Sequence, residues 1–512
     1  RHADAGPSRC RPKPEPTLFA EVKDAGLSHV HRESDFDDLL VQPGLPERIS
    51  RGGPCSAVAD VNGDGRMDVF LGGGAGQAPA LFLGGAQGRF TPSRQPAFVK
   101  DAAFEDRCAV FLDVDQDGDQ DLYIGSGSTE FPAPAMLRDR LYINTNGSFV
   151  RNDALLPELA INTGAVVAAD VDGDGDDDLF VGGRSVPGGY PAATRSHFLR
   201  NDAGTFHDAT AEWAPGSERP GMVTAAAFAD VDADGDSDLV LALDWGPLRV
   251  LRNDGGRFSD ATSTLLDKAP SGWWRSLHAG DVDGDGDVDL VAGNHGLNDR
   301  YSQDREHPVR LYNADMDHDG RSDLVVARWI ENGYRPDESF TLLQVRFPFL
   351  GKKYEWYETY AKQDMVRIFG VDAERAEVLD AETFASVWYR NDGGRYTLQE
   401  LPWEAQLSTV NAMTPVAWSD GTGLLIAGNT RHAPIEVGNS DASVGLLLRF
   451  DGQGGAVAVD PRRSGVYLTG DVRSMVAVPG NYGQLVVVGN NDGPVQVLKG
   501  NSPPPVPAPS LP

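Results

Sequence analysis

The sequence predicts an all-β protein, a β-propeller of four-stranded antiparallel blades. Three observations carry this expectation. A nine-residue pattern, D-x-[DN]-x-D-G-x-x-D, begins at Asp60, Asp113, Asp170, Asp230, Asp281 and Asp315, at spacings of 53, 57, 60, 51 and 34 residues. Each copy lies between two short apolar runs, and a second pair of runs joined by an Asn-Asp-x-Gly turn follows several copies. A unit repeated at such a period is the mark of a repeat architecture, and four antiparallel strands per unit make a propeller blade.

The strands can be taken in order. Before the loops stand SAVAD, AVFLD, VVAAD, AAFAD, LHAGD and RLYNAD; after them stand DVFLGG, DLYIGS, DLFVGG, DLVLAL, DLVAGN and DLVVAR. Short apolar runs bounded by Asp and Gly read as buried strands, here A and B of a hairpin. HFLRND-AGTFHDAT, RVLRND-GGRFSDAT and SVWYRND-GGRYTL supply strands C and D, with turn residues that tolerate positive φ. The last third continues without the aspartates: 411–429 gives A and B around a worn loop, SDGTG, and 443–460 gives C and D. Residues 471–499 supply A, B and C only, and the run from Leu18 to Asp24 resembles RFSDATS. That N-terminal run is expected to complete the last blade and close the ring, which removes exposed sheet edges.

Seven blades are expected, with eight as the alternative, because the unit at Asp281 shows A and B strands but no clear C and D before Asp315. Residues 335–385 break the pattern with helical, aromatic-rich sequence and read as an insertion leaving one face. The expected organisation is therefore a flexible segment at 1–17, one propeller over 18–500 with the helical insertion, and a Pro-rich tail at 501–512.

Charge narrows the function. Lys plus Arg is 45 and Asp plus Glu is 76, a formal charge of −31. Nucleic acid and anionic membrane reward basic surfaces, so neither is an expected partner. No apolar run of membrane-spanning length occurs. Three cysteines in 512 residues exclude a disulfide-dense scaffold. The acids concentrate instead: the six loops hold 28 aspartates.

Calcium takes six to eight oxygen ligands, and a loop of this kind wraps one ion with side chains at positions 1, 3, 5 and 9 and the carbonyl at 7. Gly at position 6 permits the sharp turn. The first loop would offer Asp60, Asn62, Asp64, the Arg66 carbonyl and Asp68. The same register gives Asp113, Asp115, Asp117, Asp119 and Asp121, then Asp170, Asp172, Asp174, Asp176 and Asp178. It continues with Asp230, Asp232, Asp234, Asp236 and Asp238, then Asp281, Asp283, Asp285, Asp287 and Asp289, and finally Asp315, Asp317, Asp319, Arg321 and Asp323. An EF-hand needs Glu at position 12 and flanking helices. Position 12 here is Leu71, Ile124, Val181, Leu241, Ala292 or Val326, so that reading fails. A single copy could be a solvated turn; six in register between strands point to about six Ca2+ ions. Magnesium seldom uses cages made wholly of protein ligands.

The unit resembles the FG-GAP or VCBS repeat of integrin α-subunit propellers and of many secreted bacterial proteins. The stretches GPCSAVADVNGDGRMDVFLGG, DRLYINTNGSF, FVGGRSVPGGYP, GMVTAA, GWWRSLHAGDVDGDGDVDLVAGNHGLN and LPWEAQLS are most similar to bacterial proteins resembling cartilage acidic protein. The resemblance implies a secreted propeller with calcium in the A–B hairpins and a role in binding or adhesion. The expected function is thus a protein- or glycan-binding module outside the cytoplasm. A carbohydrate hydrolase or lyase using the funnel is one alternative, and a subunit of a larger envelope assembly is another. No catalytic residue is assigned, and the ten His show no metal-ligand spacing. Cys55 and Cys108 occupy equivalent places before consecutive loops, either as two buried thiols or as a disulfide. Trp273, Trp274, Asn294, His295, Asn298, Arg300 and Tyr301 have the composition of a sugar patch and equally of a packed core.

Overall fold

The computed structural model describes residues 16–501, apart from 131–133, 302–304, 419–420, 432, 435, 452–453 and 481–482. Seven four-stranded antiparallel sheets form a ring, and an eighth sheet sits outside it. Blade 1 runs Ser56–Ala59, Asp68–Leu71, Ala80–Gly84 and Phe90–Ser93. Blade 2 begins at Asp106–Leu112, blade 3 at Thr163–Ala169, blade 4 at Met222–Ala229, blade 5 at Ser276–Gly280, blade 6 at Val410–Trp418 and blade 7 at Val472–Val478. These first strands, the A strands, neighbour one another in that order, and Val472–Val478 returns to Ser56–Ala59.

Strand B explains why the pattern folds this way. It has a strand on each edge and a blade against each face, so its residues alternate between two cores and read as one unbroken apolar run. In blade 4, Leu239 and Leu241 pack toward blade 3, while Val240 and Ala242 pack toward blade 5. The same division gives seven clusters, one at each junction around the ring. Closure comes from Phe19–Glu21, which pairs antiparallel with Gln496–Gly500 (Phe19↔Gly500) and buries Phe19 between blades 6 and 7.

The eighth sheet resolves the blade count. Strands C and D of blade 5 are Val387–Asn391 and Tyr396–Glu400, paired directly to Asp289–Gly293. Residues 294–386 are therefore an insertion between strands B and C. They hold a sheet in the order Gly333–Pro336, Asp323–Ile330, Val309–Ala314, Glu377–Ala381, with five short helices within Phe340–Arg375. The sixth aspartate loop belongs to this insertion and not to the ring, which is why its spacing is short. One face of the inserted sheet packs on its helices through Tyr312, Phe340, Phe347 and Met365. The other face packs on the ring through Val309, Leu311, Val326, Trp245 and Trp273.

The closing strand yields a direct test. Phe19→Ala removes a fully buried ring at the seam and is expected to cost about 3–5 kcal/mol in chemical denaturation. Deleting residues 16–23 should in addition expose the Gln496–Gly500 edge and produce concentration-dependent association on a sizing column.

Candidate metal centres and the central channel

Each loop is seated by its position-9 aspartate. The Asp238 carboxylate is buried and accepts two backbone N–H groups, Val231 at 2.9 Å within the loop and Asn253 at 2.7 Å at the end of strand C. Asp68 does the same with Val61 and Gly84, Asp121 with Val114 and Asn144, Asp178 with Val171 and Asn201, and Asp289 with Val282 and Asn391. One carboxylate thus fastens hairpin A–B to hairpin C–D without any ion.

The Asn that ends strand C then reaches the preceding blade. Asn253 Nδ2 donates to the Val171 carbonyl in the blade 3 loop at 2.8 Å, and its Oδ1 accepts from Gly256 in its own turn. Asn201 repeats this toward Val114, and Asn144 toward Val61. In blade 5 Asn391 Nδ2 donates to the Tyr396 hydroxyl, whose hydrogen goes to the Val288 carbonyl of the same blade at 2.7 Å, with the Val231 carbonyl at 3.2 Å. The loops of blades 1 to 3 are each held by the following blade through the carbonyl at position 2. Sequence reasoning gave this Asn only a turn role. In the structure the positive φ falls on the following pair, Ala203 and Gly204 for example. The signal available was the Asn five residues before an aromatic in the C–D turns of blades 2 to 5, Asn144, Asn201, Asn253 and Asn391.

The remaining carboxylates converge. Asp113, Asp115 and Asp121 bring one oxygen each to within 4.8 Å of one another, as do Asp170, Asp172 and Asp178, and Asp315, Asp317 and Asp323. Asp230, Asp232 and Asp234, and Asp281, Asp283 and Asp285, do so through positions 1, 3 and 5. In the first loop Asn62 stands at position 3, and Asp60 accepts from the Gly65 N–H at 2.7 Å. The position-7 side chains tie the loops to strand C's turn: Asp119, Asp176, Asp236 and Asp287 accept from the C–D turn N–H groups of Asn146, Ala203, Gly255 and Gly393.

The donor set fits a hard divalent cation. Asp113 Oδ1, Asp172 Oδ1 and Asp232 Oδ1 are buried with no hydrogen-bond partner, although an unmatched buried oxygen is costly, and Asp283 Oδ2 is ion-paired to Arg390 at 3.3 Å. Burial and then the adjacent position-5 carboxylate push Asp172, Asp232 and Asp283 above the usual carboxylate range. A cation among these oxygens would remove both costs.

A protein-family model described as an FG-GAP-like repeat matches residues 60–124, 113–181 and 230–292. The matched stretches of this β-propeller are FG-GAP-like repeats. Solved structures similar to it include BBS1N in complex with ARL6DN (10% identity, 96% of this chain and 99% of that one, TM-score 0.41). Two more are the Dos1 propeller (10%, 91% and 96%, 0.37) and an Agrocybe aegerita protein that recognises non-reducing terminal N-acetylglucosamine (14%, 80% and 80%, 0.39). A search of curated proteins returned no match.

Elsewhere in this FG-GAP-like propeller, the candidate sugar patch is core. Trp273, Trp274, Asn294, His295 and Tyr301 are buried, and Trp273 meets Trp245, His295, Tyr301 and Phe384 under the inserted sheet. Cys55 and Cys108 are free thiols, and Cys10 lies outside the described residues. His31 and His278 are held well below the ordinary histidine range, to about 3 and about 4, by burial. Neither lines the axial cavity, where Glu47 is the sole carboxylate among the described residues and is ion-paired to Arg275 at 2.6 Å.

Close to that cavity Glu33 is pushed up to about 7, by burial first and by Glu130; Asn491 as donor and Arg473 and Arg51 as cations oppose the shift. Such a carboxyl stabilises the fold below its unfolded pKa near 4.5, and that contribution is lost as pH rises through about 7. Glu33→Gln should therefore match the parent at pH 4 and exceed it at pH 8.5, by on the order of 2 kcal/mol in denaturant titrations. The blade links give a second test. Asn253→Ala is expected to lose about 1–3 kcal/mol with or without calcium. Asp234→Ala should leave stability in chelator unchanged and lower it only when calcium is added.

Proposed function

We propose that the protein is a calcium-loaded propeller that binds a protein or glycan partner outside the cytoplasm. The observation that carries the calcium reading is the set of convergent loop carboxylates with buried, unmatched oxygens. Extracellular calcium modules have dissociation constants of about 10⁻⁴–10⁻³ M, so such loops would fill outside the cell and stand empty in cytosol. At ten times that constant one site contributes about 1.4 kcal/mol, and six about 8 kcal/mol, a large share of a domain's stability.

Binding is supported by the insertion. It exposes Trp356 (67%) and, at the start of the next helix, Tyr357 (58%), whose ring meets Phe340, and exposed aromatic anchors are the residues interfaces favour. The matched test is capture from culture fluid with the parent protein and with Trp356→Ala/Tyr357→Ala, in calcium and in chelator. A partner retained by the parent in calcium alone is the expected result. Capture unaffected by the double substitution would move the docking surface elsewhere. For the metal, chelator is expected to lower the melting temperature by on the order of 10 °C, reversibly with calcium. An unchanged melting temperature would overturn the calcium reading.

A further inference from the structure

The chain carries a net charge of −31, yet its axial cavity is lined by cations. About 290 Å³ in volume, the cavity is bordered by Arg48, Arg51, Arg107, Arg184, Arg275 and Arg473, with Glu47 as the one acid among the described lining residues. It lies at the start of the A strands. The loops lie at the other end, about 20 Å away for a strand of six or seven residues.

Backbone register puts the arginines there. In the five loop-bearing blades the residue six before the first loop aspartate is Pro54, Arg107, Gly164, Thr224 or Arg275. Arg107, Gly164 and Thr224 are skipped by the A–B ladder as β-bulges, and so are Asn411 and Arg473 in blades 2 to 4, 6 and 7 taken together. A bulge re-aims the side chain of its extra residue, and all five border the cavity. The N-terminal crossing segment adds Arg48 and Arg51. Gly52 in that segment leaves room for Arg107, whose Nη1 stands 0.9 Å from where a Cβ would be.

The cations are not all matched. Arg48 pairs with Asp37 at 3.0 Å, Arg275 with Glu47 at 2.6 Å, and Arg473 with Asp471 at 2.7 Å; Arg184 lies 3.9 Å from Glu47 and from Asp244. Arg51 and Arg107 make no ion pair within 4.0 Å among the described residues, and Arg51 Nε and Arg107 Nη1 are buried without a hydrogen-bond acceptor. Burial, then repulsion from Arg184 and Arg473, pulls Arg107 down to about 9. Burial also raises Glu33, Glu105 and Glu130 above the usual carboxylate range.

We propose that this cavity is a binding site for a small dianion presenting carboxylate or tetrahedral oxyanion oxygens, received chiefly by Arg51 and Arg107. Guanidinium forks match both geometries, and a narrow, partly dehydrated channel strengthens the attraction. Several uncompensated guanidinium groups in one cavity cost stability unless an anion joins them.

Sulfate and succinate are suitable test anions because both bind calcium weakly. With calcium fixed in excess, each is titrated into the full chain by calorimetry and followed by thermal unfolding, against sodium chloride of equal ionic strength. The expected result is saturable binding of one or both, with a melting-temperature rise that sodium chloride does not give. Sulfate alone would mark a tetrahedral oxyanion ligand, and succinate alone a dicarboxylate. Arg107→Gln and Arg51→Gln should each weaken binding at least tenfold, and anion-free Arg107→Gln should melt no lower than the parent. Absence of saturable binding, or binding unchanged in both variants, overturns the proposal.

Discussion

Two backbone N–H groups donating to one buried carboxylate hold this molecule in register. Position 9 of each ring loop accepts from the loop and from the end of strand C, as Asp238 does from Val231 and Asn253. The carboxylate thereby makes a blade from two hairpins that share only a strand ladder. The same strand-C residue turns its side chain on the neighbouring loop in blades 2 to 4, so the brackets of blades 1 to 4 are linked in series. The convergence of the loop carboxylates is downstream of this. Positions 1, 3 and 5 can converge because position 9 and the position-7 side chains have already pinned the loop to strand C and its turn.

Blades 6 and 7 lack the aspartates and are joined differently. Asn411 Nδ2 donates to Asn429 and Val472 carbonyls, and Asn491 Nδ2 donates to the Gly53 carbonyl across the seam to blade 1. Their junction packs Leu425, Leu447, Val486 and Val488 around Phe19. The ring therefore combines five blades that carry aspartate loops with two that do not. Charge is divided along the axis as well, with carboxylates at the loop end of the inner strands and arginines at the other. A protein of net charge −31 can thus present opposite potentials at its two faces.

What could be read from sequence was what repeats locally. The A–B hairpins and their loops stand out because residue type, spacing and flanking runs agree. Seven against eight blades could not be settled, because the insertion carries its own loop at Asp315 and its hairpin copies the A–B pattern. The ring's own C and D strands of blade 5 resume only after residue 386. Trp273 reads alike as a sugar platform or as core; a sheet brought over it from residues 309–326 makes it core. The arginine cavity was hidden because Arg48, Arg51, Arg107, Arg184, Arg275 and Arg473 share no linear motif. Only the register six residues before a loop, available for Arg107 and Arg275, pointed inward.

Backbone hydrogen exchange in chelator, compared between the parent and Asp238→Ala, tests the central claim, that the position-9 carboxylates are the joints of the loop-bearing blades, most directly. The account expects the parent to keep protection at Val61, Val114, Val171 and Val231 and at Asn144, Asn201, Asn253 and Asn391 without calcium, and Asp238→Ala to lose it at Val231 and Asn253. The Val472–Val478 and Leu485–Asn490 strands of blade 7 should keep most of their protection in both. Loss of that protection in the parent on chelation, or its retention in Asp238→Ala, would contradict it.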